Sequence, residues 1–420
     1  MKLRYLHAAD LHLDSPLKGL DRYPGAPVDQ LRTATRGALE RLVSFALERR
    51  VDFVLLAGDI YDRDWQDFHT GLYFRAEMIR LARAGIRVFM ILGNHDAEGT
   101  ISRPLPLPDN VTTFSSRAAQ TVQLDDLGVA IHGRSFPSRA VTEDLVPEYP
   151  PAVAGLVNIG LLHTSLNGRE GHDTYAPTTL ERLTDKGYDY WALGHVHQRE
   201  IVSDTPLVVY PGNLQGRHAN ETGAKGCELV EFDGTAIHHE PIALDVARWH
   251  RINIDVTGLE HPDALQHRAS ACIGEFAESG DIDLLALRVT LTGVSSLIET
   301  EARFPGALDA VVRQSAQDIT GTDVWVERVK LDLRAPKSPR DAANRSDAVA
   351  ELMRLADELA ASPDALLSFV QTELGDLLKL LPPELELDAS TVSDDAEAAR
   401  ALLSAACATA LAHLESGVPD

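Results

Sequence analysis

Histidine, aspartate and asparagine recur along the first half of the chain, each time at the end of an apolar run of strand length. Asp10-Leu11-His12 follows Leu3–Ala9. A spacing of two projects both side chains to the same side of an extended segment. Gly58-Asp59-Ile60-Tyr61-Asp62 follows Phe53–Ala57, and Gly93-Asn94-His95-Asp96 follows Arg87–Leu92. His163 ends Leu156–Leu162, and Gly194-His195-Val196-His197 ends Tyr190–Leu193. Singly, each is ordinary: Asp-x-His is commonly a turn, and Gly-Asn-His-Asp could be an Asn/Gly turn. Together, in order and each at a strand end, they point to convergence, because the carboxyl ends of parallel strands line the ligand crevice of α/β sheets. Asp10, His12, Asp59, Asn94, His163, His195 and His197 are more ligands than one divalent ion requires. Two ions about 3.5–4 Å apart would use them all if one carboxylate bridged. Carboxylate, amide and imidazole donors without a thiolate suit Mn, Fe or Zn better than Ca or Mg. The glycines before Asp59, Asn94 and His195 permit the tight turns such loops need.

The elements that must position these residues follow from hydrophobic periodicity. Leu3–Ala9 reads as a strand, Val28–Arg50 as a helix, Phe53–Ala57 as a strand, Phe68–Ala84 as a helix and Arg87–Leu92 as a strand. This β-α-β-α-β rhythm predicts an α/β fold with parallel strands. Shorter strands follow at Val111–Phe114, Thr121–Leu124, Val129–His132, Leu156–Leu162, Tyr190–Leu193, Leu207–Tyr210, Cys227–Phe232 and Ile237–Pro241, with helices near 140–147 and 177–186. A two-layer β-sandwich flanked by helices accommodates the mixture. Past Trp249, strands at Arg251–Val256, Leu284–Thr292 and Val324–Leu333 alternate with helices at Pro262–Glu278 and near 296–316, a small α+β unit. Ala335–Pro339 reads as a linker, and Ser346–Ala361, Ser362–Leu381 and Asp394–Glu415 as helices. The expected domains are therefore 1–249, 250–334 and 335–420.

Composition sets outer bounds. The 420 residues are 44% apolar and 24% charged, as in a soluble globular protein. Three well-separated cysteines (Cys227, Cys272, Cys407) exclude a disulfide framework and a cysteine zinc knuckle. No apolar h-region follows Met1 and no 18-residue apolar run occurs, so a cytoplasmic protein with no membrane segment is expected. The net charge of -24 argues against coating nucleic acid through bulk charge. Half of that excess lies in residues 341–420, which hold 4 basic and 16 acidic side chains.

The ordered series Asp10-x-His12, Gly58-Asp59-x-x-Asp62, Gly93-Asn94-His95-Asp96, His163 and Gly194-His195-x-His197 resembles the signature of calcineurin-like metallophosphoesterases. The opening Leu6–Leu13 resembles the DNA repair exonuclease branch, the SbcD-like nuclease subunits of a double-strand-break repair complex. Tyr210-Pro211-Gly212-Asn213, Gln215-Gly216-Arg217-His218, Asn220-Glu221-Thr222-Gly223 and Lys225-Gly226-Cys227 look closer still to its YhaO-like bacterial members. The resemblance implies one metal on Asp10, His12, Asp59 and His197, a second on Asp59, Asn94, His163 and His195, and Mn2+ as the usual ion. It also implies that His95 faces the scissile phosphate, where it could stabilise charge or protonate the leaving 3′ oxygen. Asp96 is expected to orient that imidazole, and the role of Asp62 is left open. Asn213, Arg217 and His218 are candidate substrate contacts. His7, inside a strand, is expected to be packed or hydrogen-bonded. His69, His132 and His172 could line the cleft without any spacing that requires it.

DNA affinity rests largely on Lys and Arg contacts to phosphates. Two divalent ions over Asp10 and Asp59 would make the site locally positive despite the acidic chain. Basic clusters are sparse: Arg32, Arg36 and Arg41 with Arg49-Arg50, and Arg328, Lys330, Arg334, Lys337 and Arg340, the second being the better guide for a strand. The resemblance therefore implies a coiled-coil ATPase partner of the SbcC or YhaN kind. The acidic helices of 346–415 could dock it or support a homodimer, although their apolar positions more often mean an ordinary helical core. The leading expectation is a two-metal DNA exonuclease. The alternatives are a phosphoesterase of nucleotides, cyclic nucleotides or other small esters, and a DNA-binding scaffold with a degenerate centre, against which the intact ligand set counts.

Overall fold

Short strands that are apolar throughout need cover on both faces, and two stacked sheets between outer helices supply it. The computed structural model describes residues 2–17, 20, 23, 25–62, 68–98, 105–167, 175–277, 282–336, 348–379 and 395–415. Contacts divide the chain into two units, Met1–His250 with Asp281–Ala286, and Arg251–Gly280 with Leu287–Asp420.

The first unit runs β1 (Leu3–Ala8), α1 (Val28–Arg49), β2 (Phe53–Ala57), α2 (Phe68–Arg83), β3 (Arg87–Ile91), α3 (Asn94–Glu98), β4 (Val111–Thr113), β5 (Gln120–Leu124) and β6 (Val129–Gly133). It continues with β7 (Val157–His163), α4 (Leu180–Asp185), β8 (Tyr190–Gly194), β9 (Glu200–Asp204), β10 (Leu207–Tyr210), β11 (Gly226–Phe232) and β12 (Ile237–Ala243). One sheet has the order β12-β11-β1-β2-β3-β4 and the other β5-β6-β7-β8-β10-β9. In the first, β1 to β4 are parallel, β11 runs antiparallel to β1, and β12 runs antiparallel to β11. In the second, β6, β7, β8 and β10 are parallel, with antiparallel β5 and β9 at the edges.

The period-two alternation within each strand divides the apolar side chains between two layers. Tyr5, Phe53, Leu55 and Phe89 meet Ile131, Ile159, Leu161, Tyr190 and Val209 between the sheets. Leu6, Val54, Leu56 and Met90 turn outward to Leu39, Leu42 and Val43 of α1 and to Phe74 and Met78 of α2. Leu162, Trp191, Leu193 and Val208 cover the far side with Tyr149 and Leu183. The parallel strands of both sheets thus end at the loops that carry the chemistry.

Three local expectations are corrected. The helix expected near 140–147 is a single 3-10 turn at Val146–Glu148. Pro147 has no N–H to donate, and Asp144 Oδ1 accepts from Val146 N at 2.9 Å, so the side chain competes with helical bonding. The helix near 296–316 is two, α6 (Leu297–Arg303) and α7 (Ala307–Gln317), broken at Pro305-Gly306 where Gly306 has φ 87°. Edge strand β9 carries little apolar surface and so gave no periodic signal.

The second unit is built on the sheet β13-β14-β15, with β13 at Ala247–Asp255, β14 at Leu284–Val294 and β15 at Asp323–Arg334. Helix α7 packs on β15 and on α5 (Pro262–Ala277). Leu359 of α8 (Ala348–Ala361) packs against a small core of Leu366, Val370 and Ala399 shared by α9 (Pro363–Lys379) and α10 (Ala396–Glu415). Leu355 and Phe369 on these helices are exposed and lie outside that core. Among the described residues no helix is long and apolar enough to cross a membrane.

A glycine lets two aromatic rings pack closely in the second sheet. A Cβ on Gly160 would lie 2.4 Å from Trp191 Cε3 and 2.9 Å from Tyr188 Cδ2. Gly160→Ala should therefore lower stability by about 1–3 kcal/mol. Urea unfolding checks this, and an unchanged midpoint would contradict it.

Candidate metal centre

Each candidate ligand sits just past a parallel strand. Asp10 and His12 follow β1, Asp59 and Asp62 follow β2, Asn94 and His95 open α3 after β3, His163 ends β7, and His195 and His197 follow β8. The first two loops run side by side: Asp10 N donates to Gly58 O, His12 N to Asp59 O and Leu13 N to Ile60 O, all at 3.0 Å. Asp10, His12, Asp59 and His195 hold φ values of 51°, 43°, 52° and 100°. Non-glycine residues in that region cost about 1–3 kcal/mol each and persist only where their surroundings over-determine them. Such strain is common at functional sites.

All seven donors come together. His12 Nε2 lies 3.2 Å from His197 Nε2 and 3.9 Å from Asp59 Oδ2. His163 Nε2 lies 3.0 Å from Asn94 Oδ1 and 3.5 Å from Asp59 Oδ2. Asp10 Oδ2 accepts from His195 N at 2.9 Å, and the His163 and His195 rings are 5.2 Å apart. Three groups could each hold an ion: Asp10, His12 and His197; Asp10, Asp59 and His163; and His12, Asp62 and His95.

The donor set fits divalent metal on its own chemistry. His163 Nδ1 meets Ala57 O at 2.9 Å, and a carbonyl can only accept, so Nδ1 carries the proton. The Nε2 lone pair then faces two oxygens that are themselves acceptors. His197 Nδ1 likewise donates to Glu221 Oε1 at 2.7 Å, which turns its Nε2 lone pair toward His12 Nε2. These lone pairs require a proton or a cation between them, and carboxylates or carbonyls behind ligating imidazoles are the usual support for metal. Burial lowers the His163 imidazole, yet Asp59 and Asp10 carry it up to about 9. Burial pushes Asp59 up, while His163 and His95 bring it down to about 2. The pocket thus draws positive charge. Glycine keeps it open: a Cβ on Gly93 would lie 2.2 Å from Asp59 Oδ1, and one on Gly194 2.0 Å from Ala57 O.

Other expectations change. Asp96 does not orient His95. It accepts from the backbone N–H of Gly93 and Tyr61 at 2.9 Å and of Ile60 at 3.2 Å, tying the second and third loops together. The carboxylate against His95 is Asp62, with Oδ1 2.7 Å from Nδ1, and Ser15 Oγ donates to its other oxygen at 2.7 Å. Asn213 is fully buried, and its amide donates to Gln215 O at 2.7 Å and Glu221 Oε2 at 3.0 Å, so it braces the loop and does not reach substrate. Arg217 is 15% exposed and stands between Glu221 and Asp62, whereas His218, 57% exposed, lies on the rim. His7 is hydrogen-bonded to Tyr190 Oη at 2.8 Å and Leu193 O at 3.1 Å, the packed role expected of it. His132 is bound to Thr121 and Asn158 in the second sheet, His69 is exposed on α2, and His172 lies outside the described residues.

Sequence reasoning passed over Glu221, Lys225 and Tyr175. Buried Lys225 donates to His197 O at 2.7 Å, and the Tyr175 ring lies 5.3 Å from His195. Glu221 and Lys225 fall inside the 220–227 stretch singled out by resemblance, but no periodicity marks which residue of a loop turns inward.

A sandwich whose parallel strands deliver carboxylate, amide and imidazole donors to one buried pocket defines the class, a metal-dependent phosphoester hydrolase. The chain belongs to the calcineurin-like phosphoesterase family, whose model matches residues 3–199, and the model for the middle domain of metallophosphoesterase YhaO matches residues 249–334. It is 34% identical over 347 residues to the uncharacterized metallophosphoesterase YhaO of Bacillus subtilis (strain 168), covering 81% of this chain and 83% of that one. It is 26% identical over 384 residues to the DNA double-strand break repair protein Mre11 of Haloferax volcanii, covering 87% and 82%. The Mre11 of Methanopyrus kandleri is 26% identical over 298 residues, 63% of this chain and 62% of that protein.

Asp59 Oδ2 stands between the His12 and His163 imidazoles, so removing it should empty both positions. Asp59→Ala, measured by metal analysis after desalting, is expected to lose nearly all bound ion. Undiminished content would show that Asp59 is not shared.

Proposed function

We propose that the chain is a two-metal DNA phosphodiesterase working as an exonuclease. The observation that carries this reading is the gathering of Asp10, His12, Asp59, Asn94, His163, His195 and His197 at the strand ends, with His95 beside them. Its substrate class is supported by the YhaO middle-domain match and by similarity to proteins named for DNA double-strand break repair. Asp10, His12, Asp59 and His197 would hold one ion, and Asp59, Asn94, His163 and His195 the other, with Mn2+ favoured. When bound, the ions would supply Lewis acidity to the phosphate oxygens and lower the pKa of the attacking water.

The chain's own residues supply the rest. Asp62 Oδ1 lies 2.7 Å from His95 Nδ1, an ion-pair contact that holds the ring and leaves Nε2 for substrate. From there His95 can stabilise charge on the phosphoryl group or pass a proton to the leaving 3′ oxygen. Asp96 holds the loop that carries His95 by three backbone amides.

Residues 250–334 are read as a cap that guides DNA, and 335–420 as a region for a coiled-coil ATPase partner of the SbcC or YhaN kind or for self-association. Arg328, Lys330 and Arg334 are exposed on β15, in line with the cap, while Lys337 and Arg340 lie outside the described residues. On the first helix, Arg36 is paired with Asp14 and Arg41 with Asp283, which makes them supports rather than a DNA track. Free, well-separated cysteines fit a cytoplasmic location.

The test is a matched assay on linear duplex DNA, single-stranded DNA and an aryl phosphodiester, with Mn2+, Mg2+ or chelator. Wild type should degrade DNA with Mn2+ and stop with chelator, and His95→Ala should lower kcat about 10²–10⁴-fold while retaining metal. Turnover of small esters alone under every metal would replace the nuclease reading with the small-ester one.

A further inference from the structure

Arg217 and Glu221 lie on the loop between β10 and β11, outside the donor set, and what they carry rests on the phosphodiesterase reading. Glu221 is a buried carboxylate with four hydrogen-bond donors around it. Oε1 accepts from His197 Nδ1 at 2.7 Å and from Arg217 Nη2 at 3.3 Å, and Oε2 from Arg217 N at 2.7 Å and Asn213 Nδ2 at 3.0 Å. Gly216 allows the loop to close this tightly, since a Cβ there would lie 2.9 Å from Glu221 O. Gln215 anchors the same loop, accepting from Val246 N at 2.8 Å and Ala247 N at 3.2 Å.

The other side of Arg217 is less fully used. Nη1 is 3.7 Å from Asp62 Oδ2, beyond hydrogen-bond distance, and Nε is buried with no hydrogen-bond partner. A guanidinium has five N–H donors in a planar fork that suits phosphate oxygens. This one stands between the carboxylate that holds His197 and the carboxylate that holds His95. A held cation with unmatched donors, beside a centre that handles phosphoesters, has an anionic phosphate as its complement.

We propose that Arg217 grips the substrate phosphate and that Glu221 is a positioning residue, setting the Arg217 guanidinium and the His197 imidazole from one carboxylate. Glu221 thereby links phosphate affinity to metal affinity, whereas Arg217, whose Nη2 meets His197 Nδ1 only at 3.4 Å, acts chiefly on phosphate. A Gln at 221 could accept on only one oxygen, and its NH2 would meet the N–H groups now facing the other.

The test uses the full chain, Mn2+ as the metal and inorganic phosphate as the anion, both followed by calorimetry. Arg217→Gln should weaken phosphate binding to the Mn2+-loaded protein about tenfold and leave Mn2+ affinity within about twofold, with partial recovery in Arg217→Lys. Glu221→Gln should weaken Mn2+ binding about 10–100-fold and phosphate binding as well. Glu221→Asp carries the same comparison if the Gln variant does not fold. Unchanged phosphate affinity in Arg217→Gln, or an equal loss of Mn2+ affinity, would overturn the gripping role. Unchanged Mn2+ affinity in a folded Glu221 variant would overturn the positioning role. DNA is absent from every arm, so a wild type that binds phosphate through Arg217 yet leaves DNA intact defeats the nuclease reading and not this one.

Discussion

The crowding of metal-binding nitrogen and oxygen atoms into one buried cluster is the constraint on which the rest of the structure depends. His12 and His197 present Nε2 atoms 3.2 Å apart, and His163 presents Nε2 to the oxygens of Asn94 and Asp59. Buried acceptors without a donor or cation between them are costly, and a divalent ion resolves several such confrontations at once. Two of the imidazoles are turned to this task from behind, His163 by Ala57 O and His197 by Glu221.

Holding the donors there requires both sheets. The parallel strands end together, and paired loops hold Asp10, His12 and Asp59 at positive φ. Asp96 ties the loops after β2 and β3, Lys225 and Glu221 brace the backbone and side chain of His197, and buried Glu228 holds Arg199 just beyond it. The Tyr5, Phe53 and Tyr190 ring cluster fixes how the sheets stack, with centroids 4.9 Å and 5.6 Å from Tyr5. Function thus lies on loops whose geometry the packed strands set.

Much of this was legible in the residues. Fully apolar runs such as Phe53–Ala57 fall where the strands are, and the ligand motifs stand at strand ends because close approach there needs glycine and short polar side chains. Contacts between residues distant in sequence were not legible. Adjacency suggested Asp96 as the partner of His95, yet α3 turns Asp96 toward backbone amides while Asp62 arrives from another strand. Asn213 reads as a polar loop residue, and its role as a brace depends on Glu221 being folded under it. The formal charge of -24 misleads in the same way, since it counts side chains without their positions.

The most direct test is anomalous X-ray scattering at the manganese edge from crystals of the full chain grown with Mn2+. Two peaks are predicted, one between His12 and His197 and one beside His163 and Asn94, with Asp59 within reach of both. A single peak, or none within that ring of donors, would contradict the account.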